Sequence, residues 1–262
     1  MNGYKNIDLK VDLILLNQDT AQDFIDKYRE NIKSLMQRLV IIVYLDEKDE
    51  LQFDFRLSDL RLDYLLEKGY QLLLSYGGVP DCIAQNDGHK ASVSKNKTRY
   101  KGKLWNTSPP KNIGDWEEIC YRYTQHIVDR YGESVVALWR FQCLNEPDTS
   151  TFFMGELSDD ELGAKVRCNQ YLKIYEGFVK GVRRVSKNIK VGGPALAFRD
   201  DFLKAFLQGV KKKKLVLDFI SLHLYGVAPW ELNSGEKVLT PKSIVKKYRE
   251  KLKIIQESGF EY

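Results

Sequence analysis

Apolar residues along this chain fall into two alternating rhythms. Short runs rich in β-branched and aromatic residues recur at 7–16, 39–45, 70–76, 135–144, 189–191 and 215–224. Between them lie longer stretches in which apolar side chains return every three or four positions. The first rhythm suits buried strands and the second suits helices that bury one face. The spacing predicts helices over 19–36, 58–68, 115–131, 159–185, 200–210 and 241–258. Within 159–185 the apolar stripe runs through Leu162, Val166, Tyr171, Ile174, Tyr175, Phe178 and Val182. Start and stop signals agree: Asp19 or Thr20 and Ser58 stand where caps belong, and Gly69, Gly132 and Gly259 stand where helices stop. Strand then helix, repeated, argues for an α/β fold with a parallel sheet and helices outside it. One segment breaks the rhythm. Residues 81–110 form a polar loop too long to be idle within a compact domain.

The run 135–144 ends abruptly in Asn145-Glu146-Pro147. Pro147 has no N–H to give a ladder and steers Glu146 towards extended backbone. A carboxylate, with an amide beside it, therefore sits at the C-terminal lip of a core strand. In an α/β barrel that lip is where catalytic groups gather. The same three residue types also make an ordinary strand-to-loop exit, so the tripeptide alone leaves both readings open. His223 and Tyr225 occupy alternate positions on the run 215–224 and share one side of it.

Composition narrows the field. The 262 residues are 43% hydrophobic and 29% charged, ample for one large domain over 1–262 with its own core. Cys82, Cys120, Cys143 and Cys168 are widely spaced with no CxxC pair, which suits buried thiols in a reducing compartment. Three histidines are too few and too scattered for a metal cluster, so no cofactor is expected. The net charge of +5 is dispersed, and the dense run Lys211 to Lys214 reads as a solvated loop. No recognition-helix pattern emerges from the basic residues, so nucleic acid is not an expected partner. No apolar stretch is long enough to span a membrane. The first residues lack an apolar leader core, which makes a cytoplasmic location the expectation.

Four blocks carry a resemblance. They are Gly114 to Gly132, Trp139 to Pro147, Asn188-Ile-Lys-Val-Gly-Gly-Pro-Ala195, and Leu217-Asp-Phe-Ile-Ser-Leu-His-Leu-Tyr-Gly226. In order and spacing, from about Phe55 onwards, the chain resembles glycoside hydrolase family 39, the family of β-xylosidases and α-L-iduronidases. Among its members the barrel domains attached to AraC-type regulators look most similar. The resemblance implies a (β/α)8 TIM barrel. Six strands are legible here, about six β/α units, and the sequence stops where a seventh strand would begin. In the family that strand carries the nucleophilic glutamate, and no residue of this chain matches it.

The resemblance also implies roles for the lip residues. Glu146 matches the acid/base of retaining hydrolysis. Asn145 matches the residue that bonds the sugar 2-hydroxyl. His223 and Tyr225 would bind sugar hydroxyls and orient the nucleophile. Trp105 and Trp230, in loops after strands, are candidates for stacking on sugar faces, although a loop tryptophan can equally cap a core. Departures stand against these matches. Gln142 and Leu144 replace a glutamate and a tryptophan, Val40 to Tyr44 offers no charged or imidazole group, and Gly77-Gly-Val-Pro80 replaces a Phe-Met-Pro turn. Two functions are therefore expected to compete. One is β-xylosidase-type hydrolysis of a carbohydrate, with this stretch alone inactive for want of a nucleophile. The other is a non-catalytic sugar-sensing domain of a transcription regulator. In either case unpaired sheet edges would favour self-association.

Overall fold

The computed structural model describes residues 34–38, 42–86, 106–224 and 241–260. Its strands are β1 (Ser34–Arg38), β2 (Ile42–Leu45), β3 (Leu51–Asp54), β4 (Gln71–Tyr76), β5 (Arg140–Cys143), β6 (Lys190–Leu196) and β7 (Phe219–Leu222). Its helices are α1 (Arg56–Glu67), α2 (Ile113–Tyr131), the single turn α3 (Glu133–Val136), α4 (Glu161–Val185), α5 (Asp200–Lys213) and α6 (Pro241–Glu257). Five strands make one parallel sheet in the order β1-β4-β5-β6-β7. Strands β2 and β3 form a separate antiparallel hairpin. The Asp46 carboxylate fixes its turn by accepting the N–H groups of Lys48 and Glu50, both at 2.9 Å.

Alternation along the strands gives the sheet two unlike faces. Leu72, Leu74, Tyr76, Phe141, Cys143 and Val191 join the apolar core beneath α2 and α4. Tyr76 lies edge-on to Phe178, and its hydroxyl meets Thr124 Oγ1 at 2.8 Å. Tyr171 donates to the Cys143 carbonyl at 3.0 Å, and the Trp116 indole donates to the Ile174 carbonyl at 3.1 Å. The buried polar tips of Tyr76, Tyr171 and Trp116 thus have partners, as burial demands. The opposite face carries Ser75, Gln142 and Gly192, which lie side by side in register. There the Gln142 amide donates to Ser75 Oγ at 3.3 Å. A Cβ on Gly192 would lie 2.4 Å from the Phe219 carbonyl oxygen, so only glycine lets β6 and β7 approach this closely.

The predicted helices over 58–68, 115–131, 159–185 and 200–210 correspond to α1, α2, α4 and α5, and the strand over 70–76 corresponds to β4. Asn112 caps α2 by accepting Gly114 N–H, and Asp160 caps α4 by accepting Gly163 N–H. Other expectations are corrected. Residues 34–36, read as the end of a helix, are strand, because pairing with β4 overrides the helical preference of Leu35 and Met36. Of the run 39–45, the described residues Ile42–Leu45 are strand, but they pair antiparallel with β3 in the hairpin and not with the parallel sheet. The N-cap of α1 is Phe55, not Ser58, whose hydroxyl is buried against the Tyr123 hydroxyl. The run 135–144 begins as the turn α3 and becomes strand only at Arg140. Gly192-Gly-Pro194 does not end a strand but lies inside β6. Lys211 to Lys213 form the last turn of α5 and only Lys214 leaves it, a favourable place for cations beside the negative helix end. The expected strand over 7–16 lies outside the described residues. Among the described residues no helix is long and apolar enough to cross a membrane.

Candidate active site at the C-terminal edge of the sheet

The site is built where β5, β6 and β7 end side by side. Beyond β5 the chain turns sharply. Leu144 N–H bonds the Tyr76 carbonyl at 3.0 Å, and Ser75 Oγ donates to the Leu144 carbonyl at 3.1 Å. Leu144 and Glu146 both adopt positive φ, 53° and 48°. Glu146 is therefore not extended, as Pro147 alone would have it. Its N–H is drawn to the Ala195 carbonyl at 3.1 Å, and this tertiary bond outweighs the local preference. Ala195 also has positive φ, 53°, with its own N–H bound to Ser221 Oγ at 2.9 Å. Non-glycine residues persist in this region only when their surroundings over-determine them.

The next carbonyl along β6 serves the other side. His223, immediately after β7, donates its N–H to the Leu196 carbonyl at 2.8 Å. Two successive carbonyls of β6 thus hold the backbones of Glu146 and His223. Their side chains then meet, with His223 Nδ1 2.6 Å from Glu146 Oε1. The Glu146 side chain is 13% exposed and that of His223 15%, so the pair is sheltered yet open to an incoming molecule. At this distance the carboxyl and the imidazole share a hydrogen bond.

Asn145, the residue before Glu146 in the chain, is 2% exposed. Neither its amide oxygen nor its amide nitrogen has a hydrogen-bond partner among the described residues. Leaving such a group unpaired costs about 1–3 kcal/mol. The structure brings together two of the predicted residues, Glu146 and His223, while Asn145 adjoins Glu146 in the chain with its side chain buried. Tyr225, Trp105 and Trp230 lie outside the described residues. Among the described residues no cluster of three or more His, Cys, Asp or Glu is arranged to hold a metal ion.

Asp148 escaped the reading of the sequence. It is fully buried, and its carboxylate accepts the N–H groups of Ala197, Phe198 and Arg199 at 2.9, 3.0 and 3.1 Å. Burial pushes this carboxyl above the usual aspartate range, against the downward pull of those N–H groups. Its sequence signal was faint: an acid directly after Asn-Glu-Pro, on a turn with nowhere to solvate it.

Known proteins extend these observations. Residues 20–258 match the family profile described as "Glycosyl hydrolases family 39". Over 184 residues the chain is 28% identical to a "Beta-xylosidase" of Caldicellulosiruptor saccharolyticus, covering 70% of this chain and 33% of that protein. A "Beta-xylosidase" of Geobacillus stearothermophilus is 26% identical over 184 residues, with 70% and 32% covered. In three dimensions the chain is similar to the "GH39 enzyme from Xanthomonas axonopodis pv. citri", with TM-score 0.71, 22% identity, and 94% of this chain and 46% of that one covered. The chain spans about a third of the length of these curated relatives. The parallel sheet described above is thus part of a TIM-type α/β barrel. With the profile covering most of its length, the chain belongs to glycosyl hydrolases family 39.

Proposed function

We propose that this chain carries the acid/base side of a retaining glycosidase site acting on β-xyloside-type carbohydrates. The observation that carries the reading is Asn145. Its amide is buried and unpartnered among the described residues, and the next residue in the chain carries a carboxyl paired with an imidazole. A sugar hydroxyl at that point would supply the missing partner. Retaining hydrolysis uses one carboxyl to attack the anomeric carbon and another to protonate the leaving oxygen, then to activate water. Glu146 is the proton carrier in this reading. His223 orients its carboxyl. Asn145 binds the 2-hydroxyl, where contacts strengthen as positive charge develops on the ring. No residue of the chain has been matched to the nucleophile.

The names of the relatives support β-xylosides as the first substrates to try. Glu146→Gln should depress hydrolysis of an alkyl β-xyloside by about 10²–10⁴-fold. On kcat/KM, which reports the bond-breaking step, the loss should be far smaller for a xyloside with an activated aryl leaving group, because a good leaving group needs no proton. Equal losses of kcat/KM on both substrates would sink the acid/base assignment. The assay applies to a longer protein that contains this chain and supplies a nucleophile.

A second reading has its own support. Gln142, buried at 1% exposure, bonds Ser75 and the Leu144 carbonyl where the family carries a glutamate. A neutral filler suits a domain that binds sugar without turning it over, such as the sensor domain of an AraC-type regulator. Calorimetric binding of xylose or a xylo-oligosaccharide, with no turnover in the longer protein, would favour it.

A further inference from the structure

We propose that Asp148 is a positioning residue for the Glu146–His223 pair, acting through the turn that follows β6. The inference rests on the acid/base reading of Glu146 given above. Residues 195–199 divide into two parts. The carbonyls of Ala195 and Leu196 receive the backbone N–H groups of Glu146 and His223. The N–H groups of the next three residues, Ala197, Phe198 and Arg199, all point at the Asp148 carboxylate. Whatever fixes the second part fixes the first. Asp148 is also only two positions beyond Glu146, and the turn between them is closed by Thr149, whose N–H and hydroxyl both donate to the Glu146 carbonyl at 3.2 Å. One carboxylate therefore ties the loop that carries Glu146 to the strand end on which both members of the pair rest.

The chemistry of the clamp calls for an acid. Oδ1 accepts one N–H and Oδ2 accepts two. An ionised carboxylate is an acceptor at every position, whereas an amide in its place would set an NH2 group against backbone donors. From the outer side Lys251, on α6, donates to the Phe198 carbonyl at 2.7 Å and pairs with Asp200. The turn is thus held on its N–H side by Asp148 and on its carbonyl side by Lys251. Such double restraint suits a segment that keeps both Glu146 and Ala195 at positive φ.

The test uses the full chain with ¹⁵N-labelled histidine, with Asp148→Asn and Asp148→Glu measured beside the wild type. His126 serves as an internal control. Its Nε2 bonds Asp59 at 2.8 Å between α1 and α2, away from the sheet edge. The imidazole signals are assigned with His126→Ala and His223→Ala. In a folded Asp148→Asn protein the His223 Nδ1 signal should move by more than its linewidth, while the His126 signals stay in place. Asp148→Glu keeps both acceptor oxygens and should give a smaller shift of the same sign. An unmoved His223 signal in a folded variant overturns the proposal. So does equal movement of His126 and His223, or failure of both variants to fold, since either marks Asp148 as a purely structural residue. Failure of the glycosidase reading looks different. It appears as an absence of xyloside binding by the wild type, whatever the histidine spectra show.

Discussion

His223 Nδ1 and Glu146 Oε1 lie 2.6 Å apart, although 77 positions separate the two residues. The contact exists because β5 and β7 flank β6 and both strand exits dock on its last carbonyls. Removing the imidazole should leave the strands in place and let the carboxyl swing. A misplacement of about 1 Å at a reacting group can cost on the order of 10²-fold in rate. In a longer protein that contains this chain and supplies a nucleophile, His223→Ala is expected to lower kcat on an alkyl β-xyloside by about that factor, with KM little changed. His223→Asn, which keeps a donor near the Nδ1 position, should fall between. An unchanged kcat in His223→Ala would remove the imidazole from the reaction.

Asn145 makes a prediction in which stability and function part. Its amide is buried and has no partner among the described residues. Replacing it by alanine removes an unsatisfied polar group, so the free protein should melt no lower than wild type. Sugar affinity should fall together with any turnover. Were Asn145→Ala to melt several degrees lower with sugar binding intact, the amide would be a structural group rather than a ligand for a hydroxyl.

How much of this was legible beforehand depended on the range of the interactions. Helices α2 and α4 and strand β4 follow from local signals: apolar spacing, the glycine stop of α2, and buried runs. The place of Glu146 at a strand's C-terminal lip was likewise legible from Asn145-Glu146-Pro147. Failures came where distant contacts decide. Ser34–Arg38 is strand because β4 lies alongside it. Val135 and Val136 look like strand residues but sit on a helical turn, entered through Gly132 at φ 82°. Gly192-Gly-Pro194 resembles punctuation, yet the absent side chain of Gly192 is what admits Phe219. The left-handed backbone of Glu146 and the clamp of Asp148 depend on Ala195 to Arg199, some fifty residues away in sequence. No local pattern encodes them.

Helix packing gives a prediction independent of the site. Gly177 and Gly181 are one turn apart on α4, where it crosses α2. A Cβ on Gly181 would lie 2.4 Å from the Glu117 carbonyl oxygen and 2.8 Å from Cys120 Cβ. Backbone cannot yield as a side-chain tip can, so the helices must separate. Gly181→Ala should cost about 1–3 kcal/mol in urea unfolding, as overpacked cores do. Gly69→Ala provides the contrast. Its φ is 78° but nothing lies within 4 Å of the added Cβ. Only the left-handed backbone penalty applies there, about 1–2 kcal/mol. If Gly181→Ala is as stable as wild type, the close crossing of α2 and α4 is wrong.

Acid should unfold this protein through its paired surface carboxylates. Asp63 on α1 accepts the Arg130 guanidinium at 2.5 Å and the Tyr131 hydroxyl at 2.8 Å, both from α2. The arginine, with a lesser contribution from the tyrosine hydroxyl, holds the Asp63 carboxyl below the usual aspartate range against the opposing effect of burial. Glu133 is lowered in the same way by the Ser186 hydroxyl and the Asn188 amide. A carboxyl with a depressed folded pKa binds protons more weakly folded than unfolded. Its contribution is therefore present above the unfolded value, near 4, and is lost as pH falls through the folded one. The urea midpoint should stay level from pH 7 to about 5 and then drop between about pH 4 and 2. Arg130→Ala brings the folded and unfolded values of Asp63 together. It should lower the midpoint slightly at pH 7 and make the acid decline shallower than in the wild type. Parallel acid declines in the two proteins would show that the Asp63–Arg130 pair is not what titrates.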